Sequence, residues 1–369
     1  MNKGNVLFLG CGQAGNQILS EILKRNKRYA GVFINSNYTD LEGLYGVELN
    51  NSNVVIFNGL NGAGKNRNVA KEYLKEQLPI VTDLVMNYPT RTVINVICSA
   101  DGGTGSGIVP GLIKVIKTLT NKTINLICAL PDYNTANLLS LDNTLDFWND
   151  IFKPQTDKRG NTFKIEDYLN DIKVIDNSKY NGNYTKINKK VAEDIDLAYS
   201  IVGKDIDGNI DIADSQRVNL NKGFSTVLQL SSEMGVKDAL MKANSESVFI
   251  SNIDTKCVYG AVSVNKNDFN KNEILKELNI EVESFSTYNN SFNVIVLAGL
   301  KPIPMYAIER INKKRERLVN QINHIEEEDK FISFDKGAAD HNVVEEVVSE
   351  PITLSKNIDD ILEDLADLL

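Results

Sequence analysis

The sequence predicts an α/β fold. A parallel-sheet domain over residues 1–183 is joined by a long central helix, 184–203, to a smaller mixed-sheet domain, 204–300; a C-terminal helix, 301–329, and an acidic tail ending in an amphipathic helix, 330–369, follow. Three observations lead there. Short apolar runs alternate with stretches of helical periodicity through the first half, the strand signals after the central helix crowd together with only short helices between them, and a last apolar stripe recurs at helical spacing.

The strand-like runs of the first half lie near 5–9, 31–35, 53–57, 91–98, 123–130 and 171–176, with amphipathic segments between most of them. Strands joined by crossover helices pair in parallel. Past the central helix come runs near 224–231, 256–264, 280–287 and 292–299, the last two flanking Tyr288-Asn289-Asn290, which reads as a hairpin turn. From Met305 onward Ile308, Ile311, Leu318, Ile322 and Ile325 form one apolar face, so this helix packs back on the body. Residues 330–350 lose periodicity, and Ile358, Ile361, Leu362, Leu365 and Leu369 then recover a stripe. Pro351 and Asn357 bracket its start, and Asp359 and Asp360 suit the positive end of a helix. A stripe this short does not fold alone, so residues 351–369 dock on a partner or another subunit; the alternative is a solvated acidic tail.

Apolar residues at 42% suffice for sizeable cores. The net charge is −9, and residues 334–369, with ten acids and two lysines, carry −8 of it, which leaves a nearly neutral body. No basic domain is available for extensive binding to DNA, and no direct specific DNA binding is expected. Neither a cleavable leader nor a span of about 20 apolar residues is visible, so the chain is read as neither exported nor membrane-bound. Cys11, Cys98, Cys128 and Cys257 show no C-x-x-C spacing, which predicts buried reduced thiols and a cytoplasmic location. The two histidines, His324 and His341, lie far from any glycine-rich loop, which argues against histidine or metal-ligand chemistry.

The candidate chemistry lies in the loops. Gly10-Cys11-Gly12-Gln13-Ala14-Gly15 satisfies G-x-G-x-x-G, but the second strand closes with Asn35 and Ser36 where a nicotinamide-binding fold places an acid for the ribose. Gly59-Leu60-Asn61-Gly62-Ala63-Gly64-Lys65 fits a P-loop until Asn66 occupies the place of the magnesium-binding Ser or Thr. The strongest signal is Asp101-Gly102-Gly103-Thr104-Gly105-Ser106-Gly107, four glycines in seven residues between a strand and a helix. Uncovered backbone N–H groups and a helix N-terminus make a phosphate cradle. Further on, Asn177 ends a strand, and Tyr184 and Asn188 lie four apart on one helical face. An aromatic ring stacks on a purine and side-chain amides read its edge, which suits guanine; capping residues beside a surface tyrosine are the plainer reading.

Gly102 to Gly107 resembles the G-G-x-T-G-S-G signature of tubulins and FtsZ proteins, and Gly12-Gln13-Ala14-Gly15-Asn16-Gln17-Ile18 is similar to the tubulin first loop. The likeness is local in motifs and continues along most of the first 300 residues. It implies a tubulin/FtsZ-like fold and a site for GTP or GDP formed by Gly12, Gln13, Ala14, Asn16, Gln17, Gly64, Lys65, Asn66, Gly102, Gly103, Thr104, Gly105, Ser106, Asn177, Tyr184 and Asn188. Magnesium would be held by phosphate oxygens and water. The loop Pro131-Asp132-Tyr133-Asn134-Thr135 resembles the family's ribose-side loop, and Asp142 either serves the ribose or caps a helix.

Asn209-Ile210-Asp211-Ile212-Ala213-Asp214 is similar to the family's N-x-D-x-x-D loop, which implies that Asn209, Asp211 and Asp214 act in trans on the nucleotide of the next subunit. No base is evident beside the chain's own phosphate loops. Asp211 or Asn209 also reads as a helix cap. Such head-to-tail contacts do not close, so the implied partner is the chain itself, in polar filaments. Lys313, Lys314, Arg315 and Arg317 read as a solvated helix face. Within the family the tail lacks the short anchor-binding peptide of FtsZ, and the chain most resembles the TubZ branch. That branch moves plasmid or phage DNA through a DNA-binding adaptor of the TubR type, which contacts the C-terminal region; an FtsZ-like division GTPase is the alternative.

Overall fold

The computed structural model describes residues 1–57, 62–156, 160–206, 208–251, 256–301 and 306–329. The acidic tail with its expected helix at 351–369, and residues 59–61 of the P-loop-like run, lie outside the described residues. In chain order the elements are β1 (Val6–Cys11), α1 (Gly12–Arg25), β2 (Ala30–Asn35), α2 (Thr39–Glu42), β3 (Val54–Ile56), α3 (Arg67–Glu76), α4 (Leu78–Met86), β4 (Val93–Ser99), α5 (Thr104–Leu119), β5 (Thr123–Leu130), α6 (Leu138–Phe152) and the small pair β6 (Gln155–Thr156) and β7 (Thr162–Phe163). Then come β8 (Asp171–Asp176), α7 (Tyr184–Ala198), α8 (Ile212–Asn219), β9 (Gly223–Gln229), α9 (Val236–Glu246), β10 (Cys257–Asn265), α10 (Lys271–Glu277), β11 (Ile280–Asn289), β12 (Val294–Ala298) and α11 (Tyr306–Asp329).

One sheet runs in the order β11-β10-β12-β9-β8-β5-β4-β1-β2-β3. The half from β8 to β3 is parallel throughout, as crossover helices require. Both of its faces are covered, so β1 and β4 are buried along their whole length instead of alternating. Leu7, Leu9, Ile94 and Val96 face one core with Val109, Leu112, Ile113 and Ile116 of α5. Val6, Phe8 and Ile97 face the other with Ile18, Leu19 and Ile22 of α1 and Ile187, Val191 and Ile195 of α7. All four cysteines are buried and free. Among the described residues no helix is long and apolar enough to cross a membrane.

Two expectations are corrected. The central helix ends at Ala198, not 203: the next residue, Tyr199, directs its hydroxyl to Asn95 Oδ1 at 2.9 Å, and Gly203 and Ile210 exchange backbone hydrogen bonds that close a loop. The second correction concerns β11 and β12, which do not form a hairpin. β10 lies between them, parallel to β11 and antiparallel to β12. Asn289 does turn the chain, accepting from the N–H of Ser291 and Phe292, but the segment then passes across the end of β10, where Asn293 Oδ1 accepts from Asn265 N at 2.7 Å. Crossing one strand takes roughly 10 Å, within reach of four residues.

Candidate nucleotide site

At the carboxyl ends of β1, β2, β4, β5 and β8 opens a cavity of about 600 Å³, the place where open parallel sheets bind ligands. The N-termini of α1 and α5 meet there, and neither carries a side-chain cap, whereas Asn66, Asn137, Asn183 and Asp211 cap α3, α6, α7 and α8. Uncapped N–H groups at two converging helix ends favour an anion. The glycines permit that convergence. Gly12 has φ +72°, and a Cβ on it would stand 2.9 Å from Gly105 N; a Cβ on Gly103 would stand 2.8 Å from Lys65 Cα. The three loops thus touch backbone to backbone.

Of the residues expected to bind nucleotide, Gly12, Gln13, Ala14, Gln17, Gly64, Lys65, Gly102, Gly103, Thr104, Gly105, Asn177, Tyr184 and Asn188 line the cavity. Three do not line it. Asn16 is buried and donates to Ile34 O at 3.1 Å, tying α1 to β2. Asn66 accepts from the N–H groups of Asn68 and Val69 as the cap of α3, so it takes no metal-ligand position of a P-loop. Ser106 is fully buried, donating to Gly102 O and accepting from Arg67 Nε at 3.2 Å.

Sequence reasoning missed the braces. Asn143 of α6 donates to Lys65 O at 2.9 Å and to Asp101 O at 3.2 Å, joining the two phosphate-side loops from below. Lys65, with φ 61°, reaches Ser140 Oγ at 2.7 Å. Arg67, buried behind Ser106, also donates to its carbonyl and to Asp150 Oδ2. Ser36 and Thr104 share a hydroxyl hydrogen bond of 2.6 Å inside the cavity wall. None of these has a motif, because each is defined by a partner far along the chain. Two carboxylates also line the cavity, Asp40 and Asp101, which corrects the expectation that no acid stands beside the phosphate loops. Both are engaged, Asp101 by the Ser99 hydroxyl and Asp40 by Asn35 Nδ2 at 3.0 Å.

At the far end Tyr184 and Asn188 open α7 opposite Asn177. Tyr184 is half exposed, and its hydroxyl pKa is raised, first by burial and then by Asp132 and Asp101, so it stays a neutral ring. Asp142 neither caps α6 nor lines the cavity; it lies within that helix and pairs with Arg315 of α11. The basic cluster is therefore partly a docking face, not wholly solvated.

The acidic loop stands apart. Asp211 caps α8, accepting from Asp214 N at 2.8 Å, while Asp214 Oδ2 accepts from Asp211 N at 3.1 Å. Asn209 Oδ1 accepts from Asp205 N at 2.9 Å. None of the three lines the cavity; Asp211 is exposed, Asp214 half-buried, and the nearby Ile206 fully exposed.

A parallel sheet with glycine loops and two bare helix ends at its carboxyl edge defines a nucleotide-binding α/β protein. Residues 5–153 match the tubulin/FtsZ family, GTPase domain. It is 23% identical over 302 residues to the tubulin-like protein TubZ of Clostridium botulinum C phage, covering 81% of this chain and 80% of that protein. The fold matches Clostridium botulinum phage c-st TubZ lacking its C-terminal tail, with TM-score 0.75 and 22% identity over 87% of this chain and all of that one. It also matches a GTPγS-form protofilament of Bacillus thuringiensis serovar israelensis TubZ, with TM-score 0.68 and 14% identity over 87% and 94% of the two chains.

Proposed function

We propose that this chain binds GTP in the cavity, assembles head to tail, and hydrolyses the nucleotide of one subunit with Asn209, Asp211 and Asp214 of the next. One observation carries the reading: the acidic loop lies at the surface, outside the cavity of its own chain, with Asn209 and Asp211 exposed. In the capping box each carboxylate uses one oxygen on the backbone, which leaves the other to orient or deprotonate a water. Ile206 supplies an apolar anchor beside them.

Phosphates would lie over the uncapped ends of α1 and α5. At Gly64 and Gly102 a methyl group would meet nothing within 4 Å, so the backbone there lies open to a ligand. The Asp101 carboxylate and the Ser36 and Thr104 hydroxyls suit a magnesium ion that keeps most of its water, which would neutralise phosphate charge when bound. Tyr184 would stack on the base, and Asn177 and Asn188 would read its edge. Electron microscopy and sedimentation with GTP and with a slowly hydrolysed analogue test this together: filaments in both, with turnover only in GTP, are expected. A monomer that hydrolyses GTP at full rate without assembling would overturn it.

The resemblance to TubZ supports a role in plasmid or phage DNA segregation through a TubR-type adaptor bound by the C-terminal region. Truncation after Ser349 should leave GTP-driven assembly intact and abolish capture of a helix-turn-helix adaptor bound to DNA. Capture that survives truncation would place the adaptor site elsewhere.

A further inference from the structure

We propose that the cationic face of α11 is a latch on the nucleotide cavity: Arg310, Lys314 and Arg315 hold the 131–137 loop against its nucleoside end and so slow release of the bound nucleotide. The proposal rests on the reading that the cavity holds a guanine nucleotide. The loop leaves β5 at Pro131, which lines the cavity, and leads into α6. On its inner side Tyr133 N donates to Ser178 Oγ at 2.9 Å, next to Asn177 of the cavity wall, and the Thr135 hydroxyl meets Tyr184. Asp132 stiffens it from within, accepting from Asn134 N at 3.0 Å and from the Thr135 hydroxyl at 3.2 Å.

The outer side is held by α11. The Arg310 guanidinium lies 4.4 Å and the Lys314 ammonium 5.1 Å from the centre of the Tyr133 ring. Lys314 also donates to the carbonyls of Tyr133 and, at 3.3 Å, Asn134. One turn of α6 later, Arg315 pairs with Asp142. Tyr133 is thus gripped through its ring and carbonyl by α11 and through its N–H by Ser178. A nucleoside leaving past Pro131 and Tyr184 must displace a loop that these contacts restrain. Since α11 follows β12 of the mixed part of the sheet, it couples that part to the nucleotide pocket. These are positioning residues, acting through the loop.

The test is displacement of fluorescent GDP from the full chain, followed by stopped flow. Losing charge-assisted hydrogen bonds and cation–π contacts, an Arg310→Ala/Lys314→Ala double variant should release GDP about 10-fold faster. The paired variant Arg310→Lys/Lys314→Arg should stay within about twofold of the parent, and Tyr133→Leu, which removes only the ring, should fall between. Preference for GDP over ADP should not change, because the base contacts are elsewhere. Release by the parent should quicken with salt more steeply than that of the double alanine variant, which keeps only the Arg315–Asp142 pair, since exposed charges are screened. A folded double alanine variant, checked by its thermal melt, whose release rate matches the parent overturns the latch. Absence of guanine-nucleotide binding in the parent would instead overturn the reading on which it rests.

Discussion

The cavity wall and the 203–214 loop are built on opposite plans. The wall is made of loops so close that Gly12 and Gly103 have no room for a Cβ, braced from behind by buried Asn16, Ser106, Arg67 and Asn143. The acidic loop is open, satisfied by its own backbone, and carries a fully exposed isoleucine at residue 206. A binding surface must be preorganised before its ligand arrives, whereas groups meant for another molecule must stay accessible. Under the proposed function, the contrast means that one chain holds the binding half of the site and presents the catalytic half to another. α7 joins the two, with Tyr184 and Asn188 at its start and Tyr199 just past its end.

The comparison breaks most visibly at Asp211 and Asp214. Replacing either with alanine should leave GTP affinity within about twofold and lower phosphate release by roughly 10²–10⁴, the usual worth of a positioned acid or base, with long-lived filaments as the visible result. Parallel titration and phosphate-release assays decide this; hydrolysis at the parental rate removes the loop from the chemistry. The converse change is Gly103→Val, which pushes side-chain atoms into the backbone at Lys65. Overpacking of this kind costs about 1–3 kcal/mol, and it should weaken GTP binding by roughly that amount while the Asp211 and Asp214 box stays formed. Calorimetry giving unchanged affinity would show that the loops need no close contact.

Asn188→Ala sharpens the base end of the wall. Loss of a buried hydrogen bond to guanine should cost about 1–3 kcal/mol of GTP affinity and leave ATP, already weak, unaffected. Equal parental affinity for the two nucleotides would dispose of the guanine reading.

An effect on stability, not on nucleotide, tests the support that both regions share. Asp194 of α7 is fully buried, and burial raises its pKa to about 6 despite Lys190 at 2.9 Å and Gln229 at 2.7 Å. The folded state therefore binds this proton more tightly than the unfolded chain, whose aspartates titrate at about 3.9. Stability is lost as pH rises between those values and stays lost above about pH 6. Asp194→Asn should remove that loss, on the order of 2–3 kcal/mol, so the two proteins should melt alike near pH 4 and the variant higher at pH 7. Parallel melting curves across that range would show that Asp194 ionises freely in the fold.

What the sequence determined was whatever is local: six apolar runs separated by helical periodicity admit only a parallel sheet, and glycines crowded between a strand and a helix leave backbone N–H groups uncovered wherever the chain folds. Tyr184 and Asn188 were legible together because four residues is one helical turn. The tertiary structure decided everything that needs a distant partner. Asn289 signals a turn but not the strand that lies between β11 and β12, and nothing near Asn143 announces the carbonyls of Lys65 and Asp101. Lys314 reads as a solvated charge until folding brings it to Tyr133, 181 positions earlier in the chain. Backbone preference and side-chain periodicity act over a few residues, so they show in the sequence; a hydrogen bond across the fold depends on three-dimensional geometry, and short-range signals do not encode it.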